Sequence, residues 1–135
     1  MRYILDNLPM IFAALFVAIL FTQSGLDKVF NFNGNMEWLK GHFSKTFLAP
    51  TTPMMVVTIT ILEIATGLGM AIGLIYFLAT GVTTIIWYAS IIGAAALCGL
   101  FFGQRVAQDY PGAAVLVPYF ILQIILIYLS KPASV

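Results

Sequence analysis

The sequence predicts an all-α integral membrane protein: one four-helix transmembrane bundle over residues 1–135, with a short amphipathic interfacial helix in its first loop. Three observations carry this. Hydrophobic residues make up 61% of the chain and charged residues 8%, with a mean hydropathy of +1.02, which leaves too little polar surface to coat a soluble globule. Four apolar segments each approach the roughly 20 residues that a helix needs to cross a hydrocarbon core of about 30 Å. Short polar breaks separate them.

The first helix is expected over about residues 4–24, with a reach that extends to Phe30. Asp6 in its charged flank, and no A-x-A-like site after the apolar run, favour a spanning helix over a cleaved signal peptide. In the first loop, Met36, Leu39, Phe43 and Phe47 recur at three- and four-residue steps, which places an interfacial helix at about 36–47 with Trp38 at headgroup level. It is either a lid that seals the bundle, the commoner use of such a segment, or a gate over a cavity. The second helix is expected over 53–76, opened by Thr52 as N-cap and Pro53 in the first turn. The third follows over 81–102. The fourth, over 110–130, opens on Asp109 and Pro111 and contains Pro118.

Four spans put both termini on one side. Lys28, Lys40, Lys45 and Arg105 on the loop side outnumber Arg2 and Lys131 on the terminal side, which favours loops inside. A net charge of +1 offers no basic face for nucleic acid, so the expected partners are membrane lipids, apolar small molecules and other membrane subunits. The single Cys98 closes no disulfide and excludes a CxxC redox centre. His42, the only histidine, has no second ligand at metal-binding spacing, so no metal site is expected.

Glu63 is the most informative residue. It lies near the middle of the second helix, where an isolated charge costs about 2.5–3.5 kcal/mol on insertion scales. Thr60, Thr66 and Gly67 share its face, so the stripe is expected to point into the bundle. On the first helix, Gln23 and Asp27 lie on one face, with Ser24 and Lys28 on the adjoining one, which reads as a polar patch ending in a cation. Lys28 and Arg105 are both long enough to bring a charge toward the carboxylate. Gln123, near the centre of the fourth helix, either caps a polar cavity or bonds a neighbouring helix. The internal polar cluster, or ligand site, is therefore expected from Glu63, Gln23, Ser24, Lys28, Thr60, Arg105 and Gln123, with no catalytic set. Gly67, Gly69 and Gly73 are expected to serve helix packing, the last two against Ala95, Gly99 and Gly103 of the third helix. Trp87, Tyr88, Tyr119 and Tyr128 either line a pocket for a flat ligand or, more commonly, form belts and packing.

The stretch "FTQSGLDKVFNF" followed by "FLAPTTPMMVVTITILEIATGLGMAIGL" resembles the DoxX family, in which a Gly-x-x-Lys motif closes the first helix and a mid-membrane Glu with trailing glycines marks the second. The matching positions are Gly25, Lys28, Glu63, Gly67 and Gly73. The resemblance implies a four-helix bundle in the cytoplasmic membrane of a bacterium or archaeon. It also implies varied roles, from a membrane subunit of a thiosulfate:quinone oxidoreductase to partners of redox enzymes and binders of sterol-like ligands, with no shared catalytic residues. Three functions stay open, in this order: a non-catalytic accessory subunit of a membrane complex, a binding protein for a quinone or similar lipid, and a quinone-reducing enzyme whose partner supplies electrons. No covalently bound cofactor is expected; a quinone or a lipid is the candidate ligand.

Overall fold

The computed structural model describes residues 2–133. A short helix α1 (Arg2–Asp6) leads into α2 (Leu8–Phe30), and α3 (Phe32–His42) follows after the single residue Asn31. A 3₁₀ turn at Ala49–Thr51 then opens α4 (Thr52–Thr80), which is followed by α5 (Thr84–Val106) and α6 (Tyr110–Ser130). Leu8–Phe30, Ala49–Thr80, Thr84–Val106 and Tyr110–Ser130 are long and apolar enough to cross a membrane. The protein is a multi-pass, all-α membrane bundle in contact with lipid.

Several boundaries have identifiable chemical causes. The turn-prone stretch around Asn31 and Asn35 is helical because both amides bond back along the chain: Asn31 Nδ2 donates to Asp27 Oδ1 at 3.2 Å, and Asn35 Nδ2 to the Asn31 carbonyl at 3.0 Å. The interfacial helix thus starts earlier than its apolar spacing predicts and ends at His42, while Phe43–Phe47 form turns. Thr52 is not the N-cap of α4; it is the first helical residue, fully buried, and its hydroxyl donates to the Leu48 carbonyl at 3.2 Å. Gly81 ends α4 at φ 78°, a left-handed C-cap that glycine adopts without a side-chain clash. Asp109 caps α6 by accepting the Gly112 N–H at 3.0 Å. α6 continues through Pro118 without a break.

The spanning helices pack in chain order, α2 on α4, α4 on α5 and α5 on α6, with a smaller contact between α6 and α2 closing the bundle. Met10, Val17 and Phe21 of α2, Met70 and Phe77 of α4, Ile86 of α5 and Leu126 of α6 fill the interior. Outward-facing Phe12, Phe16, Ile61, Ile72 and Ile121 meet hydrocarbon. At the terminal end, Tyr3 donates to the Leu78 carbonyl at 2.9 Å and sets its ring edge-on to Phe77.

Glycines set two of these crossings. A Cβ at Gly67 would stand 2.8 Å from the Thr22 Cα, and one at Gly25 would stand 3.2 Å from the Ile64 nitrogen, so α2 and α4 meet backbone to backbone there. On α5, Gly73 meets Ile86 and Gly69 meets Ala89, while Gly93 lies against Thr66 and Gly99 against Ile59. The helices are antiparallel in this register, so Gly69 and Gly73 cannot reach Ala95, Gly99 and Gly103, which lie further toward the loop end. That expected pairing is corrected: Ala95 and Gly99 are exposed, and only Gly103 is buried, under the Phe43 ring.

Candidate functional site

Lys28 is on the last turn of α2, and the Gly25 and Gly67 crossings bring that turn against α4. Its ammonium stands 2.9 Å from Glu63 Oε1 and donates to Ser24 Oγ at 3.1 Å. The carboxylate side chain is 2% exposed and the lysine side chain 19%. At that distance the ammonium and the carboxylate are in direct ionic contact. Inside a membrane such a pair lowers the cost of both charges, since each compensates the other where water does not. Ser24 orients the cation from one turn back.

The remaining expected members divide. Thr60 is buried on the Glu63 face, but its hydroxyl donates to the Val56 carbonyl at 2.7 Å; Thr66 does the same to Leu62 at 2.8 Å. Gln123 is fully buried, with its amide against Gly93 beside Thr66. Gln23 is exposed and lies outside the cluster, because the α2 face that carries Ser24 and Lys28 turns inward and carries Gln23 and Asp27 away from it. Arg105 is also exposed, with its guanidinium 4.5 Å from the centre of the Tyr110 ring, a cation–π contact that holds it at the interface.

The lysine opens into a groove of about 570 Å³. Met55, Ile59 and Leu62 of α4 form one wall, and Ala95, Gly99 and Phe102 of α5 the other. α3 covers the loop end with Asn35, Trp38 and Leu39, and Phe43 just beyond it. Lys28, Asn35, Thr58 and Gln104 are the polar side chains in a lining that is otherwise apolar. The small residues of α5, read from sequence as a packing face, give the groove its depth.

Sequence reasoning missed what holds α3 in place. His42 Nε2 lies 2.9 Å from Gln104 Oε1 and 3.8 Å from Asp109 Oδ2, and the imidazole stacks on Trp38 at 4.7 Å. The signal available was Gly103, whose missing side chain admits Phe43. Of the aromatic residues considered for a flat-ligand pocket, Tyr88 and Tyr128 are exposed, Tyr119 packs on Phe16, and Trp87 on Tyr88. None lines the groove, whose aromatic residues are Trp38, Phe43 and Phe102.

No protein of curated function and no solved structure matches the chain. The family model described as DoxX matches residues 10–96, a span that begins in the first turn of α2, ends within α5 and contains Gly25, Lys28, Glu63, Gly67 and Gly73. With more than half of its length covered by that match, the chain belongs to the DoxX family.

Proposed function

We propose that this protein binds a quinone, or a lipid of similar shape, in the cytoplasmic membrane of a bacterium or archaeon. The observation that carries the reading is that Lys28 lines the groove while its charge is balanced by Glu63. A balanced cation with an N–H still available suits a neutral headgroup with an acceptor oxygen, such as a quinone carbonyl, better than it suits a free anion. Apolar walls with few polar groups suit a ring and an isoprenoid or acyl tail.

The accessory-subunit reading rests on the small-residue faces of α4 and α5 and on the lack of a catalytic set. Gly69 and Gly73 are occupied within the bundle by Ala89 and Ile86, and Ala95 and Gly99 face the groove, so we rank ligand binding first. The two readings combine if a redox partner exchanges electrons with the bound molecule. The chain contributes no redox couple from its lone Cys98.

Trp38 lines the groove and serves as the reporter, with Trp87→Phe removing the other indole. A short-chain ubiquinone analogue is expected to quench Trp38 saturably in nanodiscs. Lys28→Met is expected to weaken that binding about tenfold, the equivalent of one charge-assisted hydrogen bond of about 1.4 kcal/mol. Quenching that rises linearly with quinone, and identically in both proteins, rejects the reading.

A further inference from the structure

The orphaned polar atoms of the interior point to a second site. Among the described residues, three buried side-chain atoms have neither a hydrogen-bond nor an ion-pair partner: Trp87 Nε1 and both amide atoms of Gln123. Gln123 is 0% exposed, so neither lipid nor bulk water reaches it. Its amide lies against Gly93, and the same glycine touches Thr66. Thr66 and Glu63 share a face of α4, separated by three residues, or about 4.5 Å of helical rise. Ser90, one turn before Gly93 on α5, is also fully buried. The Thr66 and Ser90 hydroxyls donate to backbone carbonyls of their own helices, which leaves their oxygens free to accept.

We propose that the centre of the bundle holds ordered water, bound by the Gln123 amide. An unpartnered amide in a membrane interior costs several kcal/mol, and a buried water typically makes about three hydrogen bonds to such groups. Here the donors and acceptors suit it: Gln123 Nε2 donates to the water, Gln123 Oε1 accepts from it, and the Thr66 hydroxyl oxygen, beside the amide at Gly93, is free to accept as well. The site takes neutral, hydrogen-bonding molecules the size of water, since Gln123 and Thr66 are both fully buried. It is independent of whether the groove binds a quinone.

Radiolytic footprinting in ¹⁸O-labelled water tests this on the intact protein in nanodiscs, because hydroxyl radicals formed at a bound water oxidise side chains that bulk water cannot reach. Met70, 0% exposed and one turn from Thr66 on the same inner face of α4, is the reporter; Met10, 1% exposed near the terminal end, is the control. The expected result is labelling of Met70 severalfold above Met10 in the wild type, falling to the Met10 level in Gln123→Met. Equal, low labelling of both methionines in the wild type overturns the proposal. If Gln123→Met fails to fold, a high-resolution structure of the wild type replaces it: water within hydrogen-bond distance of the Gln123 amide supports the site, and an amide bonded directly to a protein group contradicts it.

Discussion

The ammonium of Lys28 lies 2.9 Å from Oε1 of Glu63, so the only charge in the membrane-embedded middle of α4 is neutralised by the last turn of α2. Removing one partner leaves the other charged and uncompensated in a medium that solvates it poorly. Lys28→Met alone is expected to destabilise the detergent-solubilised protein by about 3–5 kcal/mol, the range for breaking a buried pair. Thermal melting with an intrinsic fluorescence readout measures it; a loss near zero means that the pair is not formed.

The two polar residues that the structure leaves outside the cluster serve as controls. Gln23→Ala is expected to change stability by less than about 0.5 kcal/mol, as surface substitutions do. Arg105→Ala is expected to lose at most about 1 kcal/mol, the worth of an exposed cation–π contact with Tyr110. A loss at either position equal to that of Lys28→Met assigns the residue to the internal site after all.

Gly67 and Gly99 are both glycines on bundle helices, yet their replacements separate folding from binding. At Gly67 a side chain collides with the Thr22 backbone, so Gly67→Leu is expected to disrupt the α2–α4 crossing by 3 kcal/mol or more, roughly the upper end of overpacking costs. At Gly99 the nearest atom is the flexible end of Ile59, so Gly99→Leu is expected to stay within about 1 kcal/mol of wild type while filling the groove. Melting and Trp38 quenching, measured on both variants, check the contrast. Unimpaired quinone quenching in Gly99→Leu removes the groove from consideration.

His42 joins α3 to the α5–α6 end across 62 residues of sequence. His42→Ala removes the bond to Gln104 and the stack with Trp38, a loss of about 1 kcal/mol. Because no residue of α3 is buried, hydrogen exchange is expected to accelerate at its amides and leave those of α4 unchanged. Equal exchange in both proteins shows that Phe43 alone seats the helix.

Much of the bundle is legible in the sequence because the bilayer imposes length and composition on each span. Glu63 and Lys28 stand out for the same reason: an ionisable residue inside an apolar run needs a partner. Gln23 was harder to place, since local spacing puts Gln23 with Asp27 and Ser24 with Lys28 but does not say which face turns inward. The Gly67 crossing with α2 decides that, and it is a contact between distant parts of the chain. The spacing of Ala95 and Gly99 points to packing where the structure has a groove, because small residues serve a close helix contact and a groove floor equally well. Only the α4–α5 register, fixed at Gly73 and Gly93, distinguishes the two. For the seat of α3 only Gly103, which admits Phe43, is a sequence signal; the bond from His42 to Gln104 has none.

The most direct test of the central claim, that Lys28 and Glu63 act as one neutralised pair beside the groove, is a double-mutant cycle read by thermal melting of wild type, Lys28→Met, Glu63→Gln and the double variant. The double variant is expected to recover at least about 1 kcal/mol of the summed single losses, because it removes both charges together. Losses that add, within about 0.5 kcal/mol, contradict it and leave Lys28 as a residue of the membrane boundary.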